Sequence, residues 1–473
     1  MTSRMQEILA AQRADFTASQ PEPMATRRDR LDRAIAMLVD HADAFADAIS
    51  EDFGHRSRET SLLTDIGAPI SALKNARKNF ESWAKDQRRK SLFPLGLLGA
   101  KSQLRFQPKG VVGIIAPWNY PVQMVMTPLA DIFAAGNRVM VKPSEFTERT
   151  SALLEELAPK YFAETEFAVF TGGAEVGKEF SSLAFDHLLF TGATGVGKHI
   201  MRAAANNLVP VTLELGGKSP TIVGRSADMR KAADRITMGK MMNAGQTCLA
   251  PDYLFVAADQ EEAVIDNIRT SVSEQYPALL HNDDYTSVIN SRNFERLQGY
   301  LEDAIAKGAE AIEVNPADED FKSSNGRKMP LTILRNVDDS MAVMQEEIFG
   351  PLLPIKRYGQ IDEAIDYVNQ HDRPLGLYYF GSDKNEEEQV LSRTTSGGVT
   401  INDVLFHVAM DDLPFGGVGP SGMGHYHGFD GFKEFSHQRA IFRQTGVDVA
   451  KLGGLKPPYG KAMQKVLKQQ ISK

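Results

Sequence analysis

The sequence predicts an α/β protein built on doubly wound parallel sheets, and three observations carry that prediction. Short apolar runs, VVGII (111–115), the VMV of RVMVKPSE (138–145) and the opening of HLLFTGATGVGK (187–198), have the composition of strands covered on both faces. A helix-length segment separates each run from the next, the alternation expected of a parallel sheet. Each run ends in a turn containing Gly or Pro, at the carboxyl end of the strand, where open α/β sheets bind ligands.

Composition limits the function classes. A chain of 473 residues has room for roughly two to four domains. Its apolar fraction of 42% and charged fraction of 24% are those of an ordinary globular protein. A formal charge of −8 and a pI near 5.8 argue against nucleic acid and anionic lipid as partners and favour a small ligand. Cys248 is the only cysteine, which excludes an intrachain disulfide and a cysteine-based metal centre and fits a reducing compartment. The opening MTSRMQEILAAQRADF lacks a continuous apolar core, and runs such as GVVGIIAPW (110–118) are too short to cross a bilayer. A cytoplasmic protein without a membrane span is expected.

In chain order, residues 26–88 carry apolar positions at helical spacing, for example Leu31, Ile35, Leu38 and Ala42, and KDQRRK (85–90) reads as a solvated helix end. After FPLGLLGAKS (93–102), rich in Gly and breakers, LRFQP reads as an extended arm. VVGII, RVMVK, FAVFTGG and HLLFTG follow as strands; the Lys-Pro step turns the chain out of the sheet where Lys142 and Glu145 emerge. A second alternating block runs from about Thr212 to Gly428, with a helix at 294–307 and strands at DYLFV (252–256) and PLLPIKRY (351–358). The tail from Lys451 has six Lys, no acidic residue and the breaker PPYG, as a mobile or surface-docked end would.

Several stretches could carry chemistry. FTGATGVGKH has the G-x-x-x-x-G-K spacing of a triphosphate loop, but His199 stands where a Mg²⁺-binding hydroxyl is needed. What remains is a glycine-rich strand-to-helix turn, suited to a pyrophosphate and equally compatible with no ligand. GQTC (245–248) presents the lone thiol, which by itself is as consistent with an inert buried residue. In LELGGKSP (213–220), Glu214 ends an apolar strand before a Gly-Gly turn, where desolvation would raise its pKa; a structural acid would look the same. PWNYP (117–121) holds Asn119 between prolines, able to donate to an oxyanion or to serve only as a turn. His425 and His427 in GHYHG have no further ligands nearby in sequence and read as a surface or packing turn; no metal site is expected.

Together, PWNYP, VKPSE, FTGATGVGK, LELGGKSP, GQTC, EEIFGP (346–351) and PFGGVGPSG (414–422) resemble, in order, the motifs of the aldehyde dehydrogenases, over about residues 25–445. The compact N-terminus, NDVLFHVA (402–409) and GFKEFSHQR (431–439) look like the family's class 3 branch. DFGHRSRET (52–60) and GQTCLAPDY (245–253) look like its coniferyl-aldehyde dehydrogenase-like group.

The resemblance implies an aldehyde dehydrogenase fold. Its parts would be a Rossmann-like dinucleotide-binding domain (1–89 and 109–214), an α/β catalytic domain (215–430), a β oligomerisation arm (90–108 and 431–445) and a tail (446–473). The arm segments near 93–108 and 432–443 would pair across subunits of a homodimer. Cys248 would attack the aldehyde, Asn119 and the Cys248 N–H would hold the oxyanion, and Glu214 would activate the hydrolytic water. For NAD, or NADP as the alternative, the resemblance assigns Lys142 and Glu145 to the adenine ribose, flanked by Pro143 and Ser144. Thr191, Gly192, Ala193 and Gly197 fall to the pyrophosphate, and Glu347 and Phe349 to the nicotinamide riboside, with Trp118, Leu215 and Gly216 alongside. Ala193 departs from the Ser or Asn common in the family, leaving more of the pyrophosphate contact to backbone donors. The implied substrate is a hydrophobic aldehyde, aromatic or medium-chain aliphatic, since Trp118, Tyr120, Phe406 and Phe415 flank the motifs. A coenzyme A-acylating enzyme and a non-catalytic cofactor-binding protein are the alternatives.

Overall fold

The computed structural model describes residues 3–93 and 95–472; Met1, Thr2, Pro94 and Lys473, within the expected N-terminal, arm and tail segments, lie outside them. Among the described residues the strands form three sheets. The first has the order Gly422–Met423, Val211–Leu215, His187–Gly192, Val111–Ile115, Arg138–Lys142, Phe167–Val169. All its pairs are parallel except that of Gly422–Met423. All five residues of Val111–Ile115 and of Arg138–Lys142 are buried, as the continuous apolar runs require of strands covered by helices on both faces. The chain enters at the centre of the sheet, builds one side through Phe167–Val169, then crosses back to His187–Gly192. The strand order therefore reverses between Val111–Ile115 and His187–Gly192, and a ligand crevice opens beyond their carboxyl ends.

The second sheet runs Glu310–Val314, Leu331–Arg335, Leu352–Tyr358, Tyr253–Ala257, Pro220–Val223, Gly376–Phe380, Gly398–Ile401, antiparallel only at its first pair. The third is small and antiparallel: Gln87–Arg89, Lys101–Pro108, Ser436–Arg443.

The helical segment before the first sheet comprises Met24–Asp40, Ala42–Phe53, Arg58–Ser61 and Ala68–Trp83, the last two joined by a π-turn at Leu62–Gly67. A further helix, Arg4–Ala18, precedes them; its apolar residues are not gathered on one face, which leaves no helical periodicity to mark it in the sequence, and it docks through buried Gln12, whose amide donates to the carbonyls of Val139 (3.0 Å) and Glu164 (2.8 Å).

Two expectations need correction. KDQRRK is not a helix end, because the helix stops at Trp83 and Gln87–Arg89 pairs with Ser102–Leu104 as an edge strand. Residues 432–434 are not strand: Gly428–Glu434 is a helix, anchored by Phe432 packing on Trp83 and Phe106, and the strand begins at Ser436. Within one chain Lys101–Pro108 and Ser436–Arg443 pair with each other over eight positions. In the tail, Val449–Leu452 and Lys461–Gln470 are helical and bury nothing. Among the described residues no helix is long and apolar enough to cross a membrane.

Candidate active site

Cys248 follows the helix Met229–Met241 and a 3-10 turn at Met242–Gly245. Asn243, Ala244 and Gly245 all take positive φ there, at 50°, 52° and 75°, a strained run for the two non-glycine residues. A Cβ on Gly245 would lie 2.4 Å from the Gly350 carbonyl oxygen, so glycine is what lets the thiol-bearing turn press against the 346–351 turn. Fully buried Gln246 locks the turn: its Nε2 donates to the carbonyls of Asn243 (2.9 Å) and Ser287 (3.0 Å), and its Oε1 accepts from the Ile289 N–H (2.9 Å).

Asn119 lies in the turn after Val111–Ile115 and is buried. Its Nδ2 donates to the Gln246 carbonyl at 3.2 Å. An amide nitrogen carries two hydrogens, so the second remains for a ligand in the cleft. Glu214, one residue from the end of Val211–Leu215, is 1% exposed, and neither carboxylate oxygen has a well-formed hydrogen bond.

One cavity of about 1370 Å³ joins these residues. Cys248, Asn119 and Glu214 line it together with Trp118, Lys142, Glu145, Thr191, Gly192, Ala193, Leu215, Gly216, Glu347 and Phe349. Three expected cofactor residues stand behind its wall. Pro143 and Ser144 form the turn under Lys142, where the Ser144 carbonyl takes the Ser151 hydroxyl at 2.9 Å. Gly197 is buried in the helix Thr194–Ala205, where a Cβ would meet the Leu215 side chain at 2.8 Å. Their part is the shape of the wall rather than its surface.

Burial dominates the electrostatics. Loss of water pushes the Glu214 carboxyl up to about 7, against weaker downward pulls from the neighbouring Cys248 and Thr191 side chains. The Glu347 carboxyl rises to about 8, first by burial and then by the charge of Asp252. Burial also pushes the Cys248 thiol well above its ordinary range, and the Glu214 charge pushes it further. The resting site thus stabilises the neutral thiol, and the thiolate has to come from a proton acceptor rather than from a lowered thiol pKa. Glu214, adjacent and titrating near neutrality, can be that acceptor.

The cavity also fits a dinucleotide. The helix Thr194–Ala205 starts at Ala193, which gives no side-chain cap, and its first turn, Thr194 to Val196, lines the cavity with uncapped N–H groups for a pyrophosphate. Lys142 Nζ pairs with Glu145 at 2.6 Å where the strand Arg138–Lys142 ends. Glu347 Oε1 is buried without a partner, an acceptor poised for a donor from a ligand. Phe349, at φ 51°, sets its ring edge-on to Trp118, with centroids 5.3 Å apart.

Sequence reasoning missed the residues that hold this loop. Lys218 pairs with Asp252 and donates to the carbonyls of Val343 (2.8 Å) and Glu346 (3.0 Å), while Asp252 accepts the Ile348 N–H at 2.9 Å. Both lie inside quoted motifs, but partners about 100 residues away leave no local signal. His427 stacks on Phe415 at 5.3 Å, and burial pushes its imidazole down to about 4; His425 is exposed. Among the described residues no group of three or more His, Cys, Asp or Glu is placed to hold a metal ion.

Residues 2–441 match the model of the aldehyde dehydrogenase family. The coniferyl aldehyde dehydrogenase of Pseudomonas sp. (strain HR199) is 54% identical over 96% of this chain and 93% of its own. A dog enzyme described as aldehyde dehydrogenase, dimeric NADP-preferring, is 36% identical over 96% of this chain and 98% of its own. The solved substrate-bound state of Staphylococcus aureus AldH superposes with a TM-score of 0.92 at 35% identity, covering 99% of this chain and 100% of that one.

Because Cys248 is the only thiol, its ionisation can be followed without interference. Glu214→Gln removes the nearest charge opposing the thiolate, so the pH midpoint of iodoacetamide alkylation should fall relative to wild type. An unchanged or higher midpoint would mean that the two groups are not electrostatically coupled.

Proposed function

The chain belongs to the aldehyde dehydrogenase family and is an NAD(P)-dependent aldehyde dehydrogenase, and from that premise we propose the roles of its residues, its substrate and its preferred cofactor. The observation that carries the reading is the convergence of Cys248, Asn119 and Glu214 on one cavity beside Glu347 and the uncapped helix start at Ala193.

Glu214 takes the Cys248 proton and the sulfur attacks the aldehyde carbon. The oxygen that gains charge is held by the free N–H of the Asn119 amide and by the Cys248 backbone N–H. NAD(P)⁺, when bound, supplies the acceptor for the hydride that leaves this carbon. Lys142 and Glu145 would hold its adenine ribose, the N–H groups after Ala193 its pyrophosphate, and Glu347 its nicotinamide riboside. Glu214 releases that first proton to solvent, then draws a second from water as the water attacks the thioester, and returns it to the departing Cys248 sulfur as the carboxylic acid leaves. A carboxyl near 7 suits both duties, since it is populated in both forms at neutral pH. A water-activating carboxylate at this position favours hydrolysis over transfer to coenzyme A.

The dinucleotide-binding domain is assigned to residues 1–89 and 109–214, which also lend Asn119 and Glu214 to the chemistry, and the catalytic domain bearing Cys248 to 215–430. Glu145 beside the ribose favours NAD by repelling a 2′-phosphate, a repulsion softened by its pairing with Lys142. The similarity to coniferyl aldehyde dehydrogenase and the half-buried Trp118 indole in the cavity favour an aromatic, coniferyl-type aldehyde over a medium-chain aliphatic one. The arm formed by 90–108 and 431–445 would join two subunits in a homodimer, as the description of the dog relative has it for that enzyme.

Cys248→Ala should remove aldehyde-dependent NADH formation while leaving the thermal transition in place; retained turnover would refute the assignment. In a kinetic panel of cinnamyl-type, benzyl-type and C2 to C12 aldehydes with both cofactors, kcat/KM should peak at cinnamyl-type substrates with NAD. A peak at an aliphatic aldehyde, or with NADP, would reverse the corresponding preference. Light scattering should give twice the chain mass of 52.1 kDa; a single-chain mass would rule out the dimer.

A further inference from the structure

DFGHRSRET carries an arginine for which the catalytic scheme has no use, and the structure buries it completely. Arg56 Nη2 meets Asp65 Oδ2 at 2.8 Å, and both side chains are 0% exposed. Its guanidinium lies over the rings of Tyr120 (4.9 Å) and Phe53 (5.2 Å). A buried ion pair of this kind is weak ground for stability, since desolvation offsets most of the attraction. The pair is better understood from what else it holds.

Arg56 Nη1 donates to the backbone carbonyl of Asn119 at 2.8 Å. On the other side of the same turn, Asp65 Oδ1 accepts the N–H groups of Val122 (3.1 Å) and Gln123 (3.2 Å), where the helix Gln123–Ala135 begins. The pair therefore grips the turn at Asn119 and again three and four residues on. Asn243 completes the grip by donating from Nδ2 to the Asn119 carbonyl at 3.0 Å and to the Gln246 carbonyl at 3.1 Å. The Gln246 carbonyl is also the acceptor for the Asn119 side-chain amide. Asp65 reaches this position from the π-turn Leu62–Gly67, a rare helical distortion frequent at functional sites.

We infer that Arg56 and Asp65 are positioning residues that aim the Asn119 amide at the developing oxyanion. This rests on the oxyanion role proposed above for Asn119. With the Asn119 carbonyl pinned by Arg56 and its side chain pinned to Gln246, the residue has no freedom to swing its remaining N–H away from the carbon attacked by Cys248. Fixed donors of this sort act without reorganisation during the reaction. Cofactor binding is not touched by the pair, because neither residue lines the cavity.

The test is a double-mutant cycle read by the pre-steady-state burst of NADH, with the NAD dissociation constant measured separately on the full-length enzyme. Asn119→Ala alone should slow the burst by about 10²- to 10³-fold. Arg56→Gln alone should slow it by roughly 10- to 100-fold, with Arg56→Lys recovering part of the loss and NAD affinity unmoved. In the Asn119→Ala background, Arg56→Gln should then change the burst by less than about twofold, the non-additivity of residues acting through one group. If Arg56→Gln does not fold, Asp65→Asn, which keeps the side-chain shape but frees the guanidinium, takes its place in the same cycle. Losses that multiply fully in the Asn119→Ala background, or a loss carried by NAD affinity, would overturn the inference while leaving the role of Asn119 standing. A harmless Asn119→Ala would instead remove that role, and the inference with it.

Discussion

Desolvation of two carboxylates and one thiol around a shared cavity is the constraint on which the rest of the site depends. In water Glu214 would be fully ionised at neutral pH; inside, its carboxyl stands at about 7 and that of Glu347 at about 8. A carboxyl raised on folding makes the folded state less favoured once pH exceeds its unfolded value, and the penalty vanishes below it. The fold therefore carries Glu214 at a cost to stability near neutral pH. In return it has a group that can take a proton from a thiol or a water and give it back.

The scaffold supports that cost with rigid surroundings. Strand ends deliver Glu214 and Lys142, and a reversal of strand order opens the cleft between Ile115 and Gly192. The thiol rides on a left-handed turn that packs against Gly350 because residue 245 has no side chain. The loop bearing Glu347 and Phe349 is fastened from outside the cavity by Lys218 and Asp252. Glu214 and Asn119 are thus held by backbone that is itself hydrogen-bonded, an arrangement that limits reorganisation during reaction.

Much of this was legible in the sequence where one local signal sufficed. VVGII, RVMVK and HLLFTG sit within a residue of their expected limits because continuous apolar runs match strands covered on both faces. The motif residues converge because they lie at the ends of strands and helices or in the turns that follow them. What was not legible depends on partners distant in the chain. KDQRRK and the residues before Ser436 carry no local sign of their form, because a three-residue edge strand and a helix anchored by Phe432 owe it to tertiary contacts. The grip of Arg56 on Asn119 spans 63 positions, and that of Lys218 on Glu346 spans 128. The direction of the thiol shift was equally hidden, since it follows from burial beside two carboxylates that no spacing reveals.

The central claim is that Cys248 becomes covalently acylated and that Glu214 governs its release. Intact-mass spectrometry of acid-quenched Glu214→Gln enzyme, mixed with NAD⁺ and coniferyl aldehyde at a pH above the variant's thiol midpoint so that ionisation does not need Glu214, tests it most directly. One added acyl group per chain is expected, mapping to Cys248 and discharged by hydroxylamine. An unmodified chain under conditions where NADH has formed would contradict it.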